Sequence, residues 1–244
     1  MAVMKPRWLR FSLRTLLLLI AVLCVWLAWR MNRVRHIRDA VAEIKRLGGG
    51  IVYTHELDMA PPVDPPGPKW FRQIFGDEFF EVVVQIDLAN HAADDHTMEL
   101  ISRLPGIQSV ILISDSVTDK GLGSLADASG LYALELYSTN VTPAGYSQLI
   151  RAKDLRALSF RGLTDANGVA SKIVVDDSWL PEIVKLTQVK YLDLMNSHIS
   201  DAGLQILGKA SWLRKLDLLG TSVTKEAVDQ LQRALPQCEI KPPQ

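Results

Sequence analysis

Residues 189–223 read VKYLDLMNSHISDAGLQILGKASWLRKLDLLGTSV, and this stretch contains one pattern twice. In each copy two apolar residues flank a single position, a further apolar residue follows five places on, and more apolar residues then recur at helical spacing. Leu194 and Leu218 hold the same place in the two copies and are 24 residues apart. Because alternating residues share one face of a strand and the later ones share a helix face, the stretch predicts a repeated strand–helix unit.

The same unit continues upstream of this stretch. Leu88, Leu112, Leu136 and Phe160 are also spaced by 24, whereas Phe160 and Leu194 are 34 apart, which indicates an insertion around residues 162–174. One unit cannot bury its apolar face alone, so neighbouring units must stack and share a core. One column of that core is Ile86, Val110, Leu134, Leu158, Leu192, Leu216 and Ile240.

A second repeated feature is the start of each helix, where Ser, Thr or Asp provides an N-cap. These residues are Asp94, Thr118, Thr142, Asp176, Ser200 and Thr224. An aspartate often follows at the first helical position, where its carboxylate meets the positive end of the helix dipole. We interpret those aspartates, Asp95, Asp119, Asp177 and Asp201, as structural residues.

The segments VTDKGL (117–122), ISDAGL (199–204) and LDLLGT (216–221) resemble leucine-rich repeats of the cysteine-containing, ribonuclease-inhibitor-like subtype. The resemblance covers about residues 81–241. It implies an α/β solenoid with a curved parallel sheet inside and helices outside. The chain departs from the motif where Asn or Cys is usual, and has there His91, Asp115, Thr139, Ser197 and Thr221.

An uncharged run, Thr15–Trp29, lies near the N-terminus between two groups of Lys and Arg. Extended to residues 11–30 it approaches the roughly 20 residues of a transmembrane helix, and Trp8, Trp26 and Trp29 suit the membrane interface. A cleaved signal peptide would need small residues at its cleavage site, which the Trp and Arg after the run fit poorly. A buried core helix is the third interpretation, and the flanking charges argue against it.

The run thus predicts a single-pass anchor that follows a basic tail at residues 1–10. The sequence FSLRTLLL (11–18), with residues 44–49, resembles bacterial membrane-anchored members of the family, which implies the bacterial inner membrane. Both flanks of the anchor carry four Lys or Arg, so the positive-inside rule gives little orientation. We expect the N-terminus inside and the repeats on the non-cytoplasmic side.

Residues 31–80 should connect the anchor to the repeats. Apolar spacing predicts a helix over 33–47, the glycines at 48–50 should end it, and residues 51–54 suit a short strand. The stretch APPVDPPGP at 60–68 must be a loop. An apolar cluster from Trp70 to Phe80 is expected to cap the first repeat, because the end of a solenoid must be covered.

The chain carries little that suggests catalysis. Its two cysteines, Cys24 and Cys238, cannot build a zinc site, and no catalytic or nucleotide-binding motif is present. The segment HAADDH (91–96) looks like a metal cluster, but the repeat register explains it as turn and cap residues. We expect no metal, no cofactor, no enzymatic activity and, at zero net charge, no nucleic-acid partner.

The concave face of such a solenoid is where a partner usually binds. Its two outward columns predict a protein-binding surface with acidic and apolar character, complementary to a basic peptide or protein. The candidate residues are Asp87, Ile111, Ile113, Glu135, Tyr137, Arg161, Asp193, Met195, Asp217 and Leu219. The alternatives are a merely solvated face, a structural, self-associating envelope protein and an enzyme of unknown type. The insertion at 162–174 could be a binding edge or a neutral loop.

Overall fold

The computed structural model describes residues 13–54, 68–75, 82–88, 93–137, 140–160 and 175–243. Within these ranges the chain forms an eight-stranded sheet whose strands follow chain order. β1 pairs with β2 antiparallel, and each later neighbour pairs parallel. The strands are β1 Gly50–Tyr53, β2 Val83–Leu88, β3 Ser109–Ile113, β4 Ala133–Tyr137, β5 Ala157–Phe160, β6 Tyr191–Asp193, β7 Lys215–Asp217 and β8 Glu239–Lys241.

Short helices connect the parallel strands and contact one another in chain order. The helices are α1 Leu13–Arg46, α2 Lys69–Phe75, α3 Asp95–Ser102, α4 Asp119–Leu125, α5 Pro143–Ser147, α6 Leu180–Ile183, α7 Asp201–Leu207 and α8 Lys225–Ala234, with 3-10 turns at Gln148–Arg151 and Asp177–Trp179. One strand and one helix per unit, stacked in order, is the architecture of a leucine-rich-repeat solenoid. The prediction of that fold is confirmed.

The core lies between the sheet and the helices. The predicted apolar column is buried from Ile86 to Leu216, and Ile240 packs against it. Each fully buried Leu, Ile or Val contributes about 1.5–3 kcal/mol relative to exposure, so the repeated columns supply most of the driving force for stacking.

Helix α1 is one unbroken element of 34 residues, which joins the predicted anchor and the predicted juxtamembrane helix. At 1.5 Å per residue it is about 50 Å long. Large apolar side chains in its first half are exposed, whereas Val34, Ile37, Val41 and Ile44 in its second half are buried. Gly48 ends it with a φ of 75°, the left-handed conformation that glycine adopts without strain.

The second half of α1, together with β1, covers the first end of the solenoid. Ile37, Val41 and Ile44 belong to the same core cluster as the repeats. Of the apolar cluster that the sequence predicts as a cap at residues 70–80, Trp70 is 62% exposed, and Phe79 and Phe80 lie outside the described residues.

The predicted N-cap residues hold the N-cap positions of the repeat helices and of the 3-10 turn at Asp177. Their side chains accept the capping hydrogen bond at each site except Thr142. Asp94 and Thr97 form a reciprocal capping box, with Thr97 N–H donating to Asp94 Oδ1 at 2.9 Å. These caps satisfy amide groups that would otherwise lack a partner at each helix start.

We expect Asp94→Ala to lower the free energy of unfolding by about 1 kcal/mol at neutral pH, the usual cost of losing an N-cap. Hydrogen bonds from the Thr97 amide and hydroxyl lower the pKa of Asp94. A carboxyl with a lowered folded-state pKa stabilises the fold above its unfolded pKa of about 3.9 and loses that contribution as pH falls through the folded value.

Urea denaturation should therefore show that the difference in free energy of unfolding between the wild type and Asp94→Ala decreases as the pH is lowered from about 7 to about 3. Asp94→Asn is the control, because it keeps an acceptor at the cap without a titrating group. A gap that stays constant across this range would contradict the assignment.

The aspartates at the first helical position connect neighbouring units. Asp119 accepts hydrogen bonds from the Thr142 amide and the Thr142 hydroxyl, both at 2.7 Å. The same pair of bonds joins Asp95 to Thr118, Asp177 to Ser200 and Asp201 to Thr224, each across 23 residues. We call this arrangement the aspartate latch. The sequence predicts that these aspartates compensate the helix dipole. It does not predict their hydrogen bonds to the following unit.

The latch is absent at one junction of the described solenoid. At this junction, between α5 and α6, Pro143 holds the first helical position of α5, where the four units named above have an aspartate. The 34-residue spacing from Phe160 to Leu194 follows it. Three aromatic rings pack there. Tyr146 lies 4.9 Å from Phe160 and 5.0 Å from Trp179, measured between ring centroids, in edge-on or tilted geometry. Aromatic packing therefore takes the place of the latch at this junction. The β4–β5 ladder and the hydrogen bond from Gln188 Nε2 to the Leu149 carbonyl, at 2.9 Å, also join the two units.

Candidate functional site

The side of the sheet turned away from the helices is called the strand face here, and it corresponds to the predicted concave face. Parallel registry places its central positions in one row from strand to strand. That row is Asp87, Ile111, Glu135, Ser159, Asp193, Asp217 and Lys241. Strands lie about 4.8 Å apart, so neighbours in the row are close enough to interact.

A second row runs beside the first. Ile113 is in register with Tyr137, and Met195 and Leu219 follow the ends of β6 and β7. Ile113, Met195 and Leu219 are half-buried, and Tyr137 is buried. Arg161 lies outside the described residues. The sheet thus brings nine of the ten predicted candidates onto one face.

Strand alternation predicts that the side chains of Asp193 and Asp217 face solvent. In the structure both are buried, with 0% and 2% of their surface exposed. Asp193 accepts a hydrogen bond from the Met195 amide at 2.9 Å, and Asp217 accepts one from the Leu219 amide at 3.1 Å. Each therefore closes a turn directly after its strand. Their carboxylates stabilise chain reversals, which makes these two residues poor probes of binding.

Both carboxylates also have side-chain partners. The Ser159 hydroxyl donates to Asp193 Oδ2 at 3.1 Å, and Lys241 Nζ donates to Asp217 Oδ2 at 3.0 Å. That hydrogen bond and the attraction between the two charges raise the pKa of Lys241. Lys241 is missing from the predicted site, although it follows Asp217 by one repeat length and could have been found from that spacing.

The centre of the face is chemically different from its C-terminal part. The Tyr137 hydroxyl donates to Glu135 Oε2 at 2.8 Å, and half-buried Ile111 and Ile113 lie on the adjacent strand in register with these two residues. Apolar surface beside one carboxylate suits contact with a protein or peptide side chain. The sequence predicts an acidic surface along the whole face. In the structure only Asp87 and Glu135, in its first half, present partly exposed carboxylates, because Asp193 and Asp217 are buried.

The described residues offer little for catalysis. In the described ranges, no group of three His, Cys, Asp or Glu side chains is placed to hold a metal ion. His91, from the segment that looked like a metal cluster, lies outside them. Burial raises the pKa of the Cys238 thiol to about 11, so this sulfur is protonated at neutral pH and a weak nucleophile.

No protein-family model and no curated protein matches this chain. Similar solved structures are leucine-rich-repeat proteins. A Leptospira interrogans leucine-rich-repeat protein is 16% identical over 59% of this chain and 33% of that chain, with a TM-score of 0.37. An internalin from Listeria monocytogenes is 17% identical over 58% and 49%, with a TM-score of 0.32. Human 5T4, the trophoblast glycoprotein, is 16% identical over 58% and 52%, with a TM-score of 0.36. The chain spans between a third and about half of these proteins.

Proposed function

We propose that this protein is a membrane-anchored interaction module that binds a protein partner through its strand face and performs no catalysis. The observation that carries the proposal is the in-register apolar surface of Ile111 and Ile113 beside Glu135 and Tyr137. Contiguous apolar surface with a polar rim is characteristic of protein-binding sites. Met195 and Leu219 extend this surface toward the end of the sheet, and Arg161 belongs to the proposed contact set by its sequence register.

The exposed first half of α1 supports the proposal of an anchor. Leu17, Leu18, Val22 and Val25 are each more than half exposed, and the helix is long and apolar enough to cross a membrane. A signal sequence can be equally long and apolar. Cleavage after the apolar run, however, would cut α1 in the middle of a continuous helix whose second half caps the repeats.

Sidedness is tested by protease protection on intact, wall-stripped cells, with a tag on the C-terminus and a cytoplasmic protein as internal control. We expect added protease to remove the tag, which would place the repeats outside the cytoplasm. If the tag survives until the membrane is lysed, the repeats face the cytoplasm and our orientation is wrong. Recovery of the chain in the soluble fraction, shortened by about 30 residues, would favour a cleaved signal instead.

The strand face is tested by a photo-crosslinking residue at position 113 in cells. We expect a discrete crosslinked product with one partner, and we expect Ile111→Lys to reduce it at least about tenfold, because a charge there disrupts the centre of the contact. The same crosslinker at Ala144, exposed on α5, is the matched control. Equal products at both positions, or none at 113, would contradict binding through this face.

A crosslinked product of twice the chain's mass would support the structural alternative of self-association. Two features of the fold disfavour association through the ends of the solenoid. Strand β8 has only three residues, and Pro236 and Pro242 flank it closely, so few amide donors are available there for strand addition. At the other end the second half of α1 packs against the core and covers it against stacking of another unit. Light scattering after gel filtration of the detergent-solubilised chain separates the two ideas, since self-association requires mass that rises with concentration.

A further inference from the structure

The net charge of zero conceals a separation of charge between the two rims of the solenoid. The start rim is the set of loops that lead from each helix into the next strand, and the end rim is the set that leads from each strand into the next helix. Among the residues that the structure describes, the start rim is basic, with Lys153, Arg156, Lys190, Lys209, Arg214 and Lys215. In the same described ranges the end rim is acidic, with Asp94, Asp115, Asp119, Asp176, Asp177 and Asp201.

Three bases of the start rim form a row. Arg156, Lys190 and Arg214 each precede strands that are in register, so they follow one another at about the strand spacing of 4.8 Å. Each donates to backbone carbonyls of its own turn. No described carboxylate forms a salt bridge with any of the three, so their charges are available to an external anion.

The acids of the start rim within the described residues do not cancel this row. Asp127 pairs with Arg151 at 3.0 Å, and Glu239 lies 3.9 Å from Lys215. Asp154 is exposed beside Lys153. The side chains of Lys153 and Lys209 are exposed and widen the basic surface along the same rim.

The path of α1 determines which rim faces the membrane. Its last turn lies at the end rim, because Gly50, four residues after Arg46, pairs with Asp87 near the end of β2. Helix α1 also contacts α3, whose first residue lies at the end rim. The buried stretch from Val34 to Ile44 spans about 15 Å, comparable to the roughly 20 Å of β2. The apolar half of α1 therefore leaves the solenoid on the side of the start rim.

We infer that the start rim faces, and binds electrostatically to, the anionic lipid headgroups of the bilayer that α1 crosses. The inference rests on the anchoring proposed above. Basic groups are attracted to an anionic leaflet within about one Debye length, about 10 Å at 0.1 M salt. The acidic end rim is repelled and points away. The solenoid then lies along the membrane with its strands roughly upright and its strand face open to the side.

The test uses the full chain in lipid nanodiscs, with a fluorophore attached at one of two positions of the same repeat. Ser211 lies on the start rim just before β7, and Ser222 lies on the end rim just after it, both exposed. Each is replaced by cysteine in a Cys24→Ser background. Cys238 is 3% exposed, and burial raises the pKa of its thiol, so we expect maleimide to label the introduced cysteine and not this one. The quencher is a nitroxide on the phosphatidylcholine headgroup.

In discs of phosphatidylcholine and phosphatidylglycerol at three to one, we expect several-fold stronger quenching at 211 than at 222. Raising the salt from about 0.1 M to about 1 M, which shortens the Debye length to about 3 Å, should remove most of that difference. Lys190→Gln with Lys209→Gln should weaken the quenching at 211. Lys120→Gln with Lys225→Gln makes the same change of charge on the end rim and should not.

Equal quenching at both positions in a chain that is stably inserted overturns the inference and leaves the anchor intact. Stronger quenching at 222 also overturns it. Quenching at 211 that is the same in discs of pure phosphatidylcholine shows that geometry alone brings the rim to the membrane, and it rejects the electrostatic part. If the chain does not insert into the discs, the proposed membrane anchor itself is wrong.

Discussion

Ile44→Asp should destabilise the protein by about 4–6 kcal/mol, a large share of the 5–15 kcal/mol that a domain possesses. Ile44 is 1% exposed on the second half of α1 and belongs to the core cluster of the repeats. Removing a buried isoleucine costs about 2–5 kcal/mol, and an unpaired carboxylate in its place adds the cost of a buried charge. Because units contact only their neighbours, unfolding should begin at the N-terminal repeats.

Ala42→Asp is the matched control, since Ala42 lies on the same helix, two residues away, and is exposed. Chemical denaturation of both variants in detergent, with hydrogen exchange resolved by peptide, measures the effect. We expect the control to change stability by less than about 0.5 kcal/mol and Ile44→Asp to lose protection in β1, β2 and β3. Equal midpoints for the two variants would show that α1 does not cap the repeats.

Gly203→Ala should also destabilise the protein, by about 1–3 kcal/mol, although alanine normally improves a helix by about 1 kcal/mol over glycine. A Cβ at position 203 would lie 2.8 Å from Asp177 Cγ and 2.9 Å from Ile199 Cγ2, closer than such atoms approach. Asp177 cannot withdraw freely, because its carboxylate holds the Ser200 amide and hydroxyl. The added methyl group must break the latch or push α7 away from α6.

Gly208→Ala provides the control, because Gly208 has a φ of −55° and a Cβ there meets nothing nearer than 3.3 Å. It should be neutral or stabilising. The decisive measurement is a double-mutant cycle by urea unfolding. In an Asp177→Ala background, Gly203→Ala should lower the free energy of unfolding by much less than it does in the wild type. An equal decrease in both backgrounds would mean that the contact with Asp177 is not the cause of the destabilisation.

The chain contains a related natural substitution. Ala227 occupies in α8 the place that Gly203 occupies in α7, and Asp201 lies in the preceding unit. A cleft of about 410 Å³ is present between α7 and α8, lined in part by Asp201, Leu204 and Ala227. The latch from Asp201 to Thr224 is intact beside this alanine.

The sequence predicts those parts of the fold that depend on short-range periodicity. Columns such as Ile86 to Leu216 repeat every 24 residues, and each column needs only apolar side chains to be recognised. The N-caps are likewise local, since a residue such as Ser200 bonds an amide two residues away. Gly48 ends α1 for the same reason, as its left-handed conformation is a property of one residue.

Features that depend on contacts between units are harder to predict. The latch joins Asp177 to Ser200 across 23 residues, and aspartate at a helix start already has a sufficient local explanation. Strand alternation predicts that Asp193 faces solvent, yet the side chain folds back onto the Met195 amide and Ser159. The charges of the two rims are visible in the sequence. Only the path of α1 shows which rim lies toward its apolar half.

We expect the aromatic junction of Tyr146, Phe160 and Trp179 to be the most deformable contact between neighbouring helices of the solenoid. A latch is directional, because two hydrogen bonds on one carboxylate weaken steeply when their angles change. Aromatic packing is less directional and tolerates small rotations of the rings. Changes in curvature should therefore concentrate between α5 and α6, with the units before and after moving as two stiff arms. A partner that contacts both Ile113 and Met195 would set the angle between these arms.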